Sequence, residues 1–247
     1  MEDNKDLINS DIVNSDTWDI HHIKHLEYNI SCPRLAYYLY IIFDILNINK
    51  ESTIMEYATG SGRSIIQLIK LGYINSYGSD FSKVAIDKLK IYGNVFTLIN
   101  FFNSTTKYDI TFHDGFFIYF KYEHIYDMID IQLANTNKIA IIVLHNYLNI
   151  ELINTFKVKS ITDSLYNINW LNYNKLLNYI IKKYNYKINI FKYGYLKNNY
   201  INLDNYLKEN YKNEVNLQYI KEKFIELNSS FPIEKCERII LVIEKCI

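Results

Sequence analysis

Apolar residues recur at helical spacing from position 33, with Leu35, Ala36, Leu39, Ile42, Phe43 and Leu46 along one stripe. That period marks a helix with one buried face, and Pro33 suits its first turn. Downstream, short apolar runs alternate with polar-striped segments. Runs at 53–58, 74–79, 95–99, 108–112 and 139–144 read as strands, with helices at 64–71, 82–91 and 123–133. Gly72 follows the first of these helices and Ser82 opens the second, as a C-terminal glycine and an N-capping hydroxyl should. Strands alternating with helices predict a mostly parallel sheet covered on both faces. After residue 150 the rhythm changes. A helix at 171–183, a strand at 186–195 and a closing strand at 238–245 enclose a polar, Tyr- and Asn-rich stretch at 197–230, helical around 217–227. The pattern predicts an N-terminal arm and helical cap over 1–50, then one domain over 51–247 with a substrate-side insertion around 197–230.

Composition narrows the class. Usage leans toward Ile, Asn, Tyr and Lys, with 7 Gly and 2 Pro in 247 residues, so each glycine carries more information than each lysine. Lys and Arg number 27, as do Asp and Glu. No global basic field exists to hold a polyanion, which counts against nucleic acid as the main partner. Cys32, Cys236 and Cys246 form no CxxC pair, a usage that suits a reduced, cytoplasmic protein. Residues 1–16 are polar, with no apolar core for a signal peptide, and are expected to order poorly without a ligand. The longest apolar run, 139–144, is far too short to span a bilayer.

The chemistry concentrates where the first strand meets its helix, at Glu56-Tyr57-Ala58-Thr59-Gly60-Ser61-Gly62. Glycines there let the chain turn sharply and let a ligand approach the main chain without meeting a Cβ. Open α/β sheets bind ligands at the carboxyl ends of strands, near the switch in strand order. Asp80 closes the next strand, where a carboxylate accepts hydrogen bonds from ribose hydroxyls. A dinucleotide fingerprint asks for a third glycine, but that position holds Ile65 counting from Gly60 and Arg63 counting from Ala58.

Residues 54–63 resemble motif I of the class I S-adenosylmethionine-dependent methyltransferases, with Ala58 where that family usually has its first glycine. Gly78-Ser79-Asp80-Phe81-Ser82 resembles the following acidic motif, and Asn100 matches the position near the adenine amine. Residues 108–115, ending His113-Asp114-Gly115, resemble the fourth-strand motif beside the transferred methyl. The resemblance covers about residues 33–145 in order. It implies an α/β Rossmann-like three-layer sandwich with a mostly parallel seven-stranded sheet, and S-adenosylmethionine as cofactor. It also implies roles. Gly60 and Gly62 would shape the loop under the methionine portion, with Ala58 and Glu56 beside it, and Arg34 would meet its carboxylate. Asp80 would hold the ribose, Asn100 the adenine edge, Phe81 and Phe101 the adenine ring, and His113 would stand near the cofactor.

The acceptor end reads less sharply. His113 and His145 both follow predicted strands, and His145 is the preferred general base, with a structural role as its alternative. Asp114-Gly115-Phe116-Phe117 carries no proline where amino methyltransferases of nucleic acids have two. The match is closer to small-molecule methyltransferases, so a small-molecule acceptor is expected. An RNA or protein acceptor and a non-catalytic cofactor-binding module remain as alternatives. His21, His22 and His25 share a helical turn but lack a carboxylate-rich partner, so no metal site is expected. Trp18, Tyr28 and Arg34 suit a cap over the cofactor. Five lysines interleaved with aromatics over 182–202 read as a strand with solvated flanks rather than a single-strand nucleic acid platform.

Overall fold

The computed structural model describes residues 15–25, 32–195 and 203–245; Tyr28, Tyr200, Cys246 and nearly all of the predicted N-terminal arm lie outside them. Among the described residues the strands are β1 (Ile54–Tyr57), β2 (Ser76–Asp80), β3 (Phe96–Leu98), β4 (Tyr108–Asp114), β5 (Thr136–His145), β6 (Lys187–Tyr195) and β7 (Cys236–Glu244). They form one sheet in the order β3-β2-β1-β4-β5-β7-β6. The pairings β1–β2, β1–β4, β2–β3 and β4–β5 are parallel. β7 runs antiparallel to both β5 and β6. Strand order reverses between β1 and β4, so the chain leaves their carboxyl ends in opposite directions and opens a crevice there.

The helices are α1 (Ser15–His25), α2 (Arg34–Ile45), α3 (Arg63–Lys70), α4 (Lys83–Leu89), α5 (Ile125–Ala134), α6 (Ile150–Lys159), α7 (Tyr173–Tyr184), α8 (Leu203–Asn210) and α9 (Leu217–Ser230). One core layer packs Ile54, Phe112, Val143 and Val242 of the sheet against α2, α3, α8 and α9. The opposite layer packs Met55, Ile142, Leu144 and Leu241 against α5 and α7. Ile54 and Met55 thus face opposite layers, as period-2 alternation requires. The continuous apolar run in β5 follows from burial on both faces.

Two expectations about organisation change. α2 is not part of the cap: Leu35, Ala36, Tyr38, Leu39, Ile42 and Phe43 are buried in the core, and among the described residues of 1–50 it is α1 that stands over the strand ends. Of the region between β6 and β7, the described part, 203–235, does not line the cavity at that crevice; residues 196–202 lie outside the described residues. Leu203, Leu207, Ile220, Phe224 and Leu227 pack α8 and α9 into the same core layer as α2, because each helix carries an apolar stripe that the sheet face covers. The periodicity also passes over α6, which buries only Leu152.

Candidate functional site

The turn leaving β1 is built on three consecutive constraints. Ala58 (φ 53), Gly60 (φ 54) and Gly62 (φ 67) all lie in the left-handed region, and Gly62 immediately precedes α3. The turn is anchored to β2. Thr59 N–H donates to the Ser79 carbonyl at 2.9 Å, and Gly60 N–H donates to Asp80 Oδ2 at 2.9 Å. Asp80 Oδ1 accepts from Ser82 N–H at 2.9 Å, so one carboxylate ties the β1 turn to the start of α4. Thr59 Oγ1 donates to Glu56 Oε2 at 2.7 Å. Both acids are buried. Desolvation lifts the Glu56 carboxyl to about 8, and it pushes Asp80 upward against the backbone hydrogen bonds that favour its ionised form.

A cavity opens over this turn and has two adjoining lobes. Glu56, Ala58, Gly60, Ser61, Arg63, Asp80 and Phe81 line the nearer part of the larger lobe. Ala58, Asp80 and Phe81 continue into the smaller lobe, where Ile99, Asn100, Phe101, Phe102, Phe116 and Phe120 complete a mostly aromatic slot. Phe101 is held edge-on by Tyr57 and Phe116, with ring centroids 5.0 and 5.3 Å away. Asn100 Oδ1 caps the following turn by accepting from Phe102 N–H at 3.1 Å.

The far wall of the larger lobe comes from distant segments: Trp18, His21 and His22 of α1, Asp114 at the end of β4, Gly115 and Tyr119 just past it, His145 of β5 and Arg238 of β7. α1 is latched over the mouth. Asp19 accepts from Ser82 Oγ and from Val84 N–H at 3.3 Å, while Lys88 Nζ donates to the His22 carbonyl at 3.2 Å. Trp18 meets Tyr119 edge-to-face at 5.1 Å across the cavity. His22 is buried, its Nδ1 has no hydrogen-bond partner among the described residues, and desolvation lowers its pKa to about 4. His145 is 7% exposed with Nδ1 likewise unpartnered. Burial and then the Arg238 charge hold its pKa well below the usual imidazole value.

Glu56, Ala58, Gly60, Asp80, Phe81 and His145 therefore line the larger lobe, and Asn100 and Phe101 line the smaller. Three expectations are corrected. Gly62 shapes the turn through its left-handed backbone but lines neither lobe; a Cβ there would meet Phe96 and Leu89, so in place of cofactor contact it serves helix packing beneath the turn. His113 is fully buried and lines neither lobe; strand alternation turns its ring onto Phe117, 4.0 Å between centroids, and leaves Asp114 at the cavity. Arg34 sits beside Glu237 at 3.8 Å and 5.9 Å from the Tyr193 ring, because α2 docks on the sheet near the start of β7. The arginines that reach the cavity are Arg63 and Arg238. Arg238 carried no local sequence signal.

Among the described residues no group of three or more His, Cys, Asp or Glu could hold a metal ion. Nor is any described helix long and apolar enough to cross a membrane. The described part of the lysine-aromatic stretch, 182–195, forms the end of α7 and β6, where Lys187 pairs with Glu244 at 2.9 Å and Lys192 Nζ donates to the Phe231 carbonyl at 2.6 Å; Lys197 and Tyr200 lie outside the described residues.

Solved structures share this fold. The plantazolicin methyltransferase BpumL, solved with a triazolic desmethylPZN analog and SAH, aligns at TM-score 0.60 and 15% identity, over 94% of each chain. A SAM-dependent methyltransferase from Archaeoglobus fulgidus aligns at TM-score 0.57 and 13% identity, over 86% of this chain and 94% of the other. Magnesium protoporphyrin IX methyltransferase from Synechocystis PCC 6803, with bound SAH, aligns at TM-score 0.55 and 13% identity, over 95% of this chain and 88% of the other. The chain thus has the Rossmann-like fold of these methyltransferases. No family model matches the sequence, and neither does any curated protein.

Proposed function

We propose that this chain is an S-adenosylmethionine-dependent methyltransferase acting on a small-molecule acceptor. The observation that carries the reading is the two-lobed cavity at the β1–β4 crevice, with buried Glu56 and Asp80 in one lobe and an aromatic slot in the other. Two desolvated carboxyls call for cationic or hydroxyl partners. The donor fits that demand. Its ammonium belongs beside Glu56, its carboxylate toward Arg63, its ribose hydroxyls at Asp80, and its adenine between Phe81 and Phe101 with Asn100 at the edge. When bound, the donor supplies a methyl already activated by a sulfonium, so the protein's task is alignment and exclusion of water.

Alignment of reactants can supply about 7–11 kcal/mol of the barrier, and the latched α1 supports it. Trp18 against Tyr119 roofs the cavity and favours a small acceptor over a polymer, as does the balanced charge of 27 cations against 27 anions. His145 is positioned to take a proton from the acceptor. Calorimetry with S-adenosylmethionine tests the reading, using wild type and Asp80→Asn. Wild type should bind and the variant bind at least about ten-fold more weakly, the worth of one charge-assisted hydrogen bond. Equal binding by both, or none by wild type, overturns it.

A further inference from the structure

The far wall of the cavity specifies what the acceptor is. Register pairing of β5 with β7 sets His145 directly opposite Arg238, and Gly115 N–H donates to the Val143 carbonyl at 3.0 Å, bringing the end of β4 to the same crest. Gly115 is where the two side chains converge. A Cβ at that position would lie 3.2 Å from Arg238 Nη1 and 3.4 Å from His145 Cε1. The glycine therefore leaves a pocket floor flanked by one guanidinium and one imidazole. Arg238 is oriented by Asp114, and His145 by Phe156 and Trp170, with ring centroids 5.0 and 6.1 Å away. His145 Nδ1 is buried without a hydrogen-bond partner among the described residues.

This inference rests on the methyl-donor reading above. We propose that the acceptor is a phenol or enol whose hydroxyl lies over Gly115, with His145 taking its proton and Arg238 stabilising the oxygen anion. Charge selects the class. A protonated amine has no lone pair for the methyl, and the carboxylate that could hold it, Asp114, is already paired with Arg238, whereas an oxygen anion gains from the guanidinium. A carboxylic acid arrives ionised and leaves His145 without a task. Between hydroxyls, a phenol or enol is the stronger acid and offers the Arg238 guanidinium an anion to hold, which an aliphatic alcohol does not. In the step, the acceptor O–H bond breaks and its proton goes to the imidazole. An oxygen lone pair bonds to the methyl carbon as the C–S bond breaks, and that electron pair remains on sulfur, which becomes a neutral thioether. The imidazolium then faces Arg238, around which Asp114, Tyr119, Tyr193, Glu237 and Arg34 are the other charged or titratable groups, and the repulsion between the two cations drives its proton to solvent.

The test uses 4-nitrophenol, whose ionised form absorbs visible light, titrated with wild-type protein saturated with S-adenosylhomocysteine. The bound probe's ionisation constant should rise about ten-fold or more over that of the free probe, the effect of one neighbouring opposite charge. Arg238→Gln should abolish that rise, and Arg238→Lys, which keeps a cation for Asp114, should retain part of it. His145→Gln should keep the ionised probe bound but lower methyl transfer to it about 10²-fold or more at neutral pH, with the deficit shrinking at alkaline pH, where the phenol ionises unaided. All three variants should bind S-adenosylhomocysteine as wild type does. No rise in ionisation with wild type, a preference for 4-nitroaniline as acceptor, or loss of S-adenosylhomocysteine binding in the Arg238 variants would overturn the proposal. Failure of wild type to bind S-adenosylhomocysteine would instead strike the methyl-donor reading beneath it.

Discussion

Gly62→Ala, compared with Gly60→Ala, separates a packing glycine from a cavity glycine two residues away. At Gly62 the backbone has φ +67, and a Cβ would lie 2.7 Å from Phe96 Cζ and 2.8 Å from Leu89 Cδ2. Phe96 and Leu89 are themselves buried, so neither has free space to retreat into. A left-handed conformation costs an L-residue about 1–2 kcal/mol, and overpacking a closed core adds about 1–3 kcal/mol. The sum is about 2–5 kcal/mol, a large share of a typical 5–15 kcal/mol stability. At Gly60 the backbone term is similar, but the nearest atom to an added Cβ is His22 Cε1 at an ordinary 3.6 Å. Gly60→Ala should therefore cost only about 1–2 kcal/mol. Urea unfolding reads the difference directly. With m near about 3 kcal/mol/M, Gly62→Ala should lower the midpoint by about 0.7–1.7 M at unchanged m. Ligand calorimetry should show the reverse order, with Gly60→Ala weakening S-adenosylmethionine binding more. Equal destabilisation by the two substitutions, or a Gly62→Ala effect under about 1 kcal/mol, would refute the packing role.

Burial raises Glu56 from 4.5 to about 8, so the unfolded chain loses this proton first and stability falls as pH rises between those two values. Glu56→Gln should flatten that slope in denaturation measured from pH 5 to 8, and an unchanged slope would count against the assignment. Because a cation beside Glu56 favours its ionised form, donor binding at pH 7 should release close to one proton. Calorimetry in buffers of different ionisation enthalpy should register it in wild type and not in Glu56→Gln. Asp19→Ala removes the acceptor for Ser82 Oγ and Val84 N–H. The loss of this capping contact should cost about 1 kcal/mol and speed donor dissociation in stopped-flow measurements, and an unchanged off-rate would show that α1 does not gate the cavity.

Most of the side of the cavity where the donor is proposed to lie was legible in the sequence because its signals are local. The β1 turn, Asp80 and the Ser82 cap each announce themselves within a few residues, through glycine conformation, a strand-end carboxylate and a hydroxyl before a helix. Errors arose where a local pattern met a direction that only packing sets. His113 and Asp114 are neighbours at one strand end, and the pleat sends one into the core and the other to the cavity. Arg34 opens a helix expected to cap the site, but the apolar stripe of that helix seats it in the core layer. α8 and α9 follow the same rule, since Leu203, Leu207, Ile220 and Phe224 draw them onto the sheet.

The sequence by itself determined the alternating architecture, the turn over which the donor is proposed to lie, and His145 as a candidate base. It could not show that Arg238 stands opposite His145, because that pairing is a matter of register between β5 and an antiparallel strand contributed from the far end of the chain. Nor could it show that Gly115 leaves the space between them. Backbone hydrogen bonding across β4, β5 and β7 decided both, since interstrand register converts positions far apart in the chain into a single pocket wall.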